Sequence, residues 1–390
     1  MKSTIKNFEV LSTFTNRGAN QFSPFTIIIS HADADGIVSA GLMSRTLEAI
    51  GQSHVVFASM DPTQRMTDDL ISEAINNYVP ETCEELNLII SDRDICSPHY
   101  IAVYGINNVI WCDHHKSSIE KFKSLINQYS ESNVISYVTE VSTESGATMV
   151  LKAAKDIVEQ DILNYDIEKP MALTPHIVEM EQWEKVTALW DTFTWKKGPS
   201  DFITQSDIDK AVNLSKASFV LPAPMLFDLV SNGGFEEYYD KIQFTASIYQ
   251  YKLDKAIEEA LDRSTKYTLF NESNKMGVLV SRDVPSQFIS LFADHVFETQ
   301  SDVDYVILVS NGLVSTRVRQ SFDFDASAVM VSLGALCYSS GGGHAKAAGC
   351  KYKDVEPVYN ETPDEDIKFV VNNIFNIIKC SSGYHKEGEL

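Results

Sequence analysis

The residues with the clearest chemical potential form three short polar clusters, each directly after an apolar, strand-like segment. The clusters are His31-Ala32-Asp33-Ala34-Asp35-Gly36, Ser91-Asp92-Arg93-Asp94 and Asp113-His114-His115. Carboxylates packed together repel one another unless they are protonated or neutralised by a cation. Asp and His together suit Mn²⁺, Mg²⁺, Zn²⁺ or Fe²⁺, and the lack of cysteine in these clusters argues against a structural zinc site. The clusters therefore predict a metal centre.

The number of candidate ligands exceeds what one ion needs, and two ions bridged by a shared carboxylate would account for the surplus. Two metals about 3.5–4 Å apart can activate a water and stabilise both oxygens of an in-line phosphoryl displacement. The alternative is that the clusters are three unrelated acidic loop ends. Their shared position after a strand favours a common site.

The segments around the clusters are typical of alternating strands and helices. Phe25–Ser30 is short, continuous and β-branched, as buried strands are, and Ile37–Ile50 has apolar residues at helical spacing. The alternation continues through Val55–Met60, Met66–Tyr78, Leu88–Ile90, Val109–Cys112, Val134–Val138 and a helix over about Ser145–Gln160. Such βαβ units predict a mostly parallel sheet flanked by helices. Because the carboxyl ends of its strands lie along one edge, the three clusters are expected to converge there.

The order and spacing of these motifs resemble the DHH phosphoesterase superfamily. That superfamily contains RecJ nucleases, nanoRNases, cyclic-dinucleotide phosphodiesterases, and family II pyrophosphatases with exopolyphosphatases. The matching segments are His31-x-Asp33-x-Asp35-Gly36, Asp92 after a strand, and Asp113-His114-His115. A fourth motif of the superfamily is a lone Asp on or after a helix, and Asp191, within Gln182–Trp195, is the best match.

The resemblance implies a role for each of these residues. One ion would be held by His31, Asp33 and Asp92. The second ion would be held by Asp35, Asp92, His114 and Asp191, with Asp92 bridging the two. His115 would contact the substrate phosphate, and Asp113 would orient a neighbouring imidazole, so these two are assigned to catalysis. The expected cofactor is a pair of Mn²⁺ ions, with Mg²⁺ as the alternative.

A second α/β pattern begins at Tyr267. Its predicted elements are the strand Met276–Ser281, the helix Gln287–Phe297, the strand Tyr305–Val309, a hairpin turn at Asn311-Gly312 and the strand Leu313–Gln320. Alternation places Ser315, Arg317 and Arg319 on one face of the last strand. A guanidinium group fits a phosphate bidentately. Ordinary surface charge is the alternative, more so for Arg319 than for Arg317.

A glycine-rich segment follows, in which Gly341, Gly342 and Gly343 precede His344. Glycines let backbone N–H groups approach an anion, which a turn here would allow. Together with Ser315-x-Arg317, the segment Gly-Gly-Gly-His-x-x-Ala-Ala-Gly is similar to the signature of the DHHA1 domain. The resemblance implies that this second domain binds the substrate. The substrate-binding residues would be His115, Arg317, Gly341, Gly342, Gly343 and His344.

The predicted organisation has two α/β domains. A DHH metal-binding catalytic domain with a mostly parallel sheet covers residues 1–195, and a smaller DHHA1 domain with a mixed sheet covers 265–390. Residues 196–264 are predicted as a helical linker containing one long helix, Phe235–Leu261. The active site is expected in the interdomain cleft. A C-terminal amphipathic helix is predicted over Asp366–Ile378.

The composition limits the partners. With 32 Lys and Arg against 54 Asp and Glu, the formal net charge is −22. Such a balance repels long polyanions, so no long duplex nucleic acid is expected as a partner. No apolar run approaches membrane-spanning length, no signal segment is evident, and the six cysteines show no CxxC pairing. We therefore expect a cytoplasmic protein without a membrane partner, and a homodimer stays open.

The resemblance implies a metal-dependent phosphodiesterase. Length and the Trp190–Trp195 region are closest to the nanoRNase (oligoribonuclease) branch, whose substrates are short oligoribonucleotides or linear dinucleotides degraded to mononucleotides. The alternatives are a RecJ-like single-strand exonuclease, a cyclic-dinucleotide phosphodiesterase, a pyrophosphatase or exopolyphosphatase, and a non-catalytic nucleotide-binding regulator. The net charge favours small substrates, and the full set of candidate ligands favours an enzyme over a regulator.

Overall fold

The computed structural model describes residues 8–15, 24–129, 133–160, 174–272, 274–310, 312–339, 341–352 and 363–386. The chain divides into two compact units, Met1–Tyr249 and Gln250–Leu390. Each unit contains one β-sheet and several helices. The predicted mixed α/β fold with two domains is therefore confirmed.

The first unit contains a six-stranded sheet. Its strands are β1 (Phe8–Phe14), β2 (Phe25–His31), β3 (Ser53–Ser59), β4 (Leu86–Ser91), β5 (Asn108–Asp113) and β6 (Val134–Val138). Its helices are α1 (Ala34–Ala49), α2 (Gln64–Asn77), α3 (Pro98–Tyr104), α4 (Lys116–Leu125), α5 (Gly146–Gln160), α6 (Thr174–Asp191), α7 (Gln205–Ser218), α8 (Ala223–Asn232) and the start of α9 (Phe235–Asp262). The strand order is β1-β3-β2-β4-β5-β6. All pairs are parallel except β1 with β3, as predicted for a mostly parallel sheet.

Successive side chains of the central strands enter two different cores. On β2, Ile28 packs in one core with residues of α1, α5 and α6. Ile27 and Ile29 pack in a second core with residues of α2, α3 and α4. A strand that is buried on both faces has a continuous run of apolar residues, and this run made β2 recognisable in the sequence.

The strand order reverses at β2. From β2 the chain continues to β3 on one side, and then crosses to β4 on the other side. Such a reversal opens a crevice at the carboxyl ends of the two diverging strands, where open α/β sheets bind ligands. His31 ends β2 and Asp92 directly follows β4, so two of the three polar clusters lie at this crevice.

The second unit is a mixed sheet. Its strands are β7 (Thr265–Phe270), β8 (Lys275–Arg282), β9 (Tyr305–Ser310), β10 (Leu313–Val318), β11 (Gly341–His344), β12 (Ala347–Lys351) and β13 (His385–Lys386). Its helices after α9 are α10 (Ile289–Thr299), α11 (Ala326–Leu336) and α12 (Pro363–Ser382). The order is β11-β12-β10-β9-β8-β7-β13, and β8 with β9 is the parallel pair. Ser310 pairs with Leu313 across the predicted hairpin, whose Asn311 lies outside the described residues.

Residues 196–264, predicted as a linker, contain α7, α8 and the whole of α9. The prolines and glycines in this segment separate its helices, since Pro222 is the N-cap of α8 and Gly233 is its C-cap. Leu214 of α7 and Phe227 of α8 are buried in the same core as α1. Helices α7 and α8 therefore belong to the first unit, and the boundary between the two units falls inside α9. Among the described residues, no helix combines the length and hydropathy that a membrane span needs.

Candidate metal centre

The polar clusters meet at the carboxyl ends of the parallel strands. His31 is the last residue of β2, Asp33 is the N-cap of α1, and Asp35 lies in the first turn of that helix. The remaining members are Asp92 after β4, Asp113 at the end of β5, His114 and His115 before α4, and Asp191 at the end of α6. The structure thus brings together the first-unit residues that the sequence analysis singled out.

We call these eight residues the metal cluster, because they are the candidate metal ligands and their neighbours. Asp92 lies at its centre. It is 1% exposed. Its Oδ2 lies 3.7 Å from His31 Nδ1, and its Oδ1 lies 3.5 Å from His114 Nε2 and 3.5 Å from His115 Nδ1. The two oxygens therefore face different imidazoles. A carboxylate placed in this way can bridge two cations.

The possible ligand atoms fall into overlapping sets. Each set brings its ligand atoms within 4.8 Å of one another, and the sets are His31, Asp33 and Asp92; Asp35, His114 and Asp191; and Asp92, His114 and His115. The shortest contacts join His31 Nδ1 to Asp33 Oδ2 at 2.9 Å and His114 Nε2 to Asp191 Oδ2 at 3.3 Å. The first set is the one that the resemblance implies for one ion. The second set contains all the residues that the resemblance implies for the other ion except Asp92.

Unpaired buried atoms test whether cations fit here. Among the described residues, Oδ1 and Oδ2 of Asp92, Oδ2 of Asp191 and Nε2 of His114 are buried and have no hydrogen-bond partner. Leaving such atoms unpaired costs free energy, so native proteins rarely do so without a reason. Carboxylate and imidazole donors together suit divalent cations. The residues present therefore fit a metal centre.

The electrostatics of the metal cluster lead to the same conclusion. Burial, followed by the charges of Asp92 and Asp191, raises the pKa of Asp35 well above its usual range. Burial is also the main cause that raises the pKa of Asp191 to about 6. Burial opposes the charged form of His31, but the carboxylates of Asp33 and Asp92 outweigh it and raise the pKa of His31 to about 10. Protons would thus compensate the surplus negative charge, a role that divalent cations can take over.

Arg93 fixes the backbone around Asp92. Asp92 has a φ of 55°, in the left-handed region that Asp tolerates better than most residues. The buried Arg93 guanidinium donates hydrogen bonds to the carbonyl oxygens of Ser30 at 3.0 Å and Asp61 at 2.7 Å, and Trp111 Nε1 donates to the Arg93 carbonyl at 2.9 Å. Arg93 therefore ties together the ends of neighbouring strands. The sequence analysis missed this role, because an arginine between two aspartates resembles ordinary surface charge.

The start of α5 holds Asp35. The backbone N–H groups of Gly146 and Ala147 donate to its two carboxylate oxygens at 2.7 and 3.0 Å. Amides at a helix N-terminus stabilise a negative charge. A Cβ at position 146 would lie 2.7 Å from Asp35 Oδ2 and 3.0 Å from the Cβ of Asp92. The close approach requires glycine at 146, a residue in which the sequence analysis recognised only a helix start.

Asp113 orients His115. It is fully buried, and its Oδ1 accepts hydrogen bonds from His115 Nδ1 at 2.9 Å and from the backbone N–H of His114 at 2.8 Å. The hydrogen bond between the Asp113 carboxylate and the His115 imidazole raises the pKa of His115 to about 9. His115 is about half exposed, so its Nε2 edge remains available for a substrate.

Residues 26–177 match the profile of the DHH family, N-terminal domain. This segment is a DHH-family domain. It contains every member of the metal cluster except Asp191, which follows it. The resemblance to the DHH family is therefore confirmed for this segment. A search of curated proteins found no match.

Solved structures share the fold of this chain. Exonuclease RecJ bound to manganese gives a TM-score of 0.50 at 13% identity, covering 90% of this chain and 89% of that chain. The DHH domain of a member of a family of ribosomal proteins gives 0.55 at 13% identity, covering 91% and 86%. RecJ from Thermus thermophilus in complex with Mn²⁺ gives 0.49 at 14% identity, covering 90% and 51%. At such identities the first two comparisons establish the likeness of the fold.

In the second unit, Arg317 and His344 share one row of the sheet. Arg317 on β10 is directly opposite Ala347 on β12, and Ala347 is directly opposite His344 on β11. Directly opposed residues of antiparallel strands project from the same face, and adjacent strands are about 4.8 Å apart. The two side chains therefore flank the small Ala347 on one face.

The glycine-rich segment is a strand, so its interpretation as a turn was wrong. Gly341–His344 forms the edge strand β11. A Cβ at Gly341 would lie 1.9 Å from the carbonyl oxygen of Met330, and Gly343 has a φ of 134°. At Gly342, a Cβ would have no neighbouring atom within 4 Å. The fold thus requires glycine at 341 and 343, whereas 342 faces open space.

Arg319 has a different environment from Arg317. Strand β10 ends at Val318, so Arg319 does not continue the predicted row. Its guanidinium donates to the carbonyl oxygens of Phe297, Gln300 and Val303 at 2.6–3.0 Å. Arg319 therefore stabilises the end of α10.

Proposed function

We propose that this DHH protein is a metal-dependent phosphodiesterase that hydrolyses short oligoribonucleotides or linear dinucleotides to mononucleotides. The observation that carries the proposal is the position of Asp92. Its buried oxygens face His31 on one side and His114 on the other, at the carboxyl ends of β2 and β4. The DHH-family domain and this cluster support a phosphoesterase, and the choice of substrate is an inference from charge.

The proposed cofactor is two Mn²⁺ ions, with Mg²⁺ as the alternative. His31, Asp33 and Asp92 would hold one ion, and the second would be held by Asp35, Asp92, His114 and Asp191. When bound, two such cations activate a water for attack on phosphorus and stabilise the charge of the transition state. Asp113 holds the Nδ1 side of His115, which leaves Nε2 to donate to a phosphate oxygen.

The second unit is proposed to bind the substrate as a DHHA1 domain. Arg317 and His344 can each donate to phosphate oxygens from one face of the sheet, and Gly342 leaves room beside them. A net charge of −22 repels a long polyanion, whereas a short one keeps its charge close to these local sites. The six cysteines are free thiols, which suits a cytoplasmic location, and that location and a homodimer stay predictions.

The other enzymes of the superfamily are the competing candidates. A RecJ-like exonuclease would act on long single strands, a pyrophosphatase or exopolyphosphatase would act on substrates without a nucleoside, and a cyclic-dinucleotide phosphodiesterase would open a ring. A regulator that only binds nucleotides would not turn over any of them. The dependence of turnover on substrate length distinguishes a RecJ-like exonuclease from the proposed enzyme.

We expect kcat/KM to fall steeply as oligoribonucleotides grow beyond about five nucleotides. Longer strands would lie directly on acidic surface, within the Debye length of ~8 Å, where salt screens the repulsion least. The measurement is hydrolysis of 5′-labelled RNA of graded length with Mn²⁺, at low and moderate salt. Added salt should partly restore turnover of the longer RNA. Equal or faster turnover of the longest RNA would instead favour RecJ-like processing.

Replacing Arg317 or His344 with alanine should weaken substrate binding while both metal ions stay bound. Each lost charge-assisted contact to a phosphate is expected to cost on the order of 1.5–3 kcal/mol. Calorimetry with Mn²⁺ and with a dinucleotide measures the two effects separately. Arg319→Ala is the control, because it should lower stability at the end of α10 without a specific effect on binding. Loss of Mn²⁺ affinity in Arg317→Ala or His344→Ala would contradict their proposed role.

A further inference from the structure

An apolar cavity of about 460 Å³ lies beside the metal cluster. Residues from α1, α6, α7 and α8 line it. Its apolar walls include Ile37, Trp190, Leu214, Phe219 and Leu226, and Asp33, Asp35 and Asp191 of the metal cluster also line it. A group bound in this cavity would therefore be directly next to the proposed reaction centre.

The walls of this cavity favour an uncharged, flat group over a phosphate. The charged residues that line it, within the part of the chain that the structure describes, are the three aspartates. Aromatic rings border the space: Trp190 is stacked on Trp195 with centroids 5.1 Å apart, and Phe219 is stacked on Tyr249 at 5.3 Å and is 60% exposed. Apolar cavities with a few polar groups are typical small-molecule sites, and aromatic rings are the usual platforms for nucleobases.

Thr187 supplies a polar group that lacks a partner. Thr187 lines the cavity and is 2% exposed. Its hydroxyl is buried and, among the described residues, has no hydrogen-bond partner. A buried hydroxyl without a partner costs free energy. A ligand with a hydrogen-bonding edge would remove that cost.

A second, more polar cavity also borders the metal cluster. A second cavity of about 360 Å³ is lined by residues that include His114, Lys116, Glu144 and Thr192, and Asp191 lines both cavities. A phosphodiester at the metal cluster would thus have both an apolar space and a polar space with a lysine next to it.

We propose that the apolar cavity binds the nucleobase of the nucleotide next to the scissile phosphate, with the base against Phe219 or Trp190 and its edge bonded to Thr187. This inference rests on the proposed function and narrows the substrate class. The substrate carries a base at this position, which inorganic pyrophosphate and polyphosphate lack.

Equilibrium binding tests the proposal without turnover. In Mn²⁺ buffer, calorimetry should show that adenosine monophosphate binds about 10- to 100-fold more tightly than ribose 5-phosphate, the range expected for one stacked base. Thr187→Val should reduce this ratio by about tenfold, as for the loss of one hydrogen bond. Equal affinities of the wild-type protein for the two ligands would overturn the proposal.

A matched pair of substitutions on α7 tests the position of the base. Ser218 lines the cavity, whereas Ser206 is exposed near the start of the same helix. Ser218→Phe should bring the ratio of the two affinities close to one, and Ser206→Phe should leave it unchanged. An unchanged ratio in Ser218→Phe would overturn the proposal. Hydrolysis of a diribonucleotide is measured in parallel, because its absence alongside a high ratio would refute the phosphodiesterase and not the base site.

Discussion

Asp92→Asn is expected to abolish hydrolysis and to remove the stabilisation of the protein by Mn²⁺, while leaving the fold intact. The two oxygens of Asp92 face both His31 and His114, and an amide offers one oxygen and no negative charge. The loss should exceed the roughly 10- to 100-fold cost of removing a group that only supports a ligand. A bound ion stabilises by mass action, so thermal unfolding with and without Mn²⁺ measures the effect.

Asp94→Asn is the matched control for this substitution. Asp94 lies two residues further on and forms an ion pair with Lys121 at 2.8 Å, outside the metal cluster. It should retain both turnover and the shift of Tm with Mn²⁺. The apolar packing of β4, whose six residues are all buried, should keep both variants folded. Near-normal turnover in Asp92→Asn would refute the bridging role.

Gly146→Ala should also have a large effect, although residue 146 offers no ligand atom. Its Cβ would lie 2.7 Å from Asp35 Oδ2 and 3.0 Å from the Cβ of Asp92, so one or both carboxylates must shift. We expect Mn²⁺ affinity and turnover to fall by roughly 10- to 100-fold, as for other groups that position ligands. Alanine is a better helix former than glycine, so the helix itself should not be lost. Calorimetry with Mn²⁺ and circular dichroism test these two expectations.

Ser145→Ala provides the comparison at the neighbouring position. The Ser145 hydroxyl is buried and, among the described residues, has no partner, so its removal adds no atom to the metal cluster. This variant should keep its Mn²⁺ affinity. If Gly146→Ala bound Mn²⁺ as tightly as the wild-type protein, the close approach of α5 to Asp35 would not matter for the site.

The strands could be predicted because they are buried, and the location of the site could be predicted because parallel strands share an edge. The segment Phe25–Ser30 is apolar throughout its centre, since β2 is covered on both faces, and the strand extends to His31. Parallel strands end at a common edge, so polar residues after each strand had to be neighbours. The same reasoning located the clusters of Asp92 and Asp113.

Contacts between distant segments could not be predicted in this way. The hydrogen bond from Gly146 to Asp35 joins two helices far apart in the chain, and no local pattern signals it. The three glycines have low strand propensity, yet they lie in a strand that pairs with β12. Position 341 requires glycine there because its backbone passes the Met330 carbonyl closely. The apolar cavity likewise depends on how α7 and α8 pack on α1, which only the tertiary structure defines.

The assembly of the metal cluster constrains how the chain can fold. Each set of candidate ligands joins residues that follow different strands or helices, and Asp191 comes from the end of α6. A cation would therefore meet a full set only after elements that are distant in the chain have aligned their ends. Interactions that form this late slow unfolding and do little to speed folding. A bound ion would therefore stabilise the folded domain against unfolding without starting its folding.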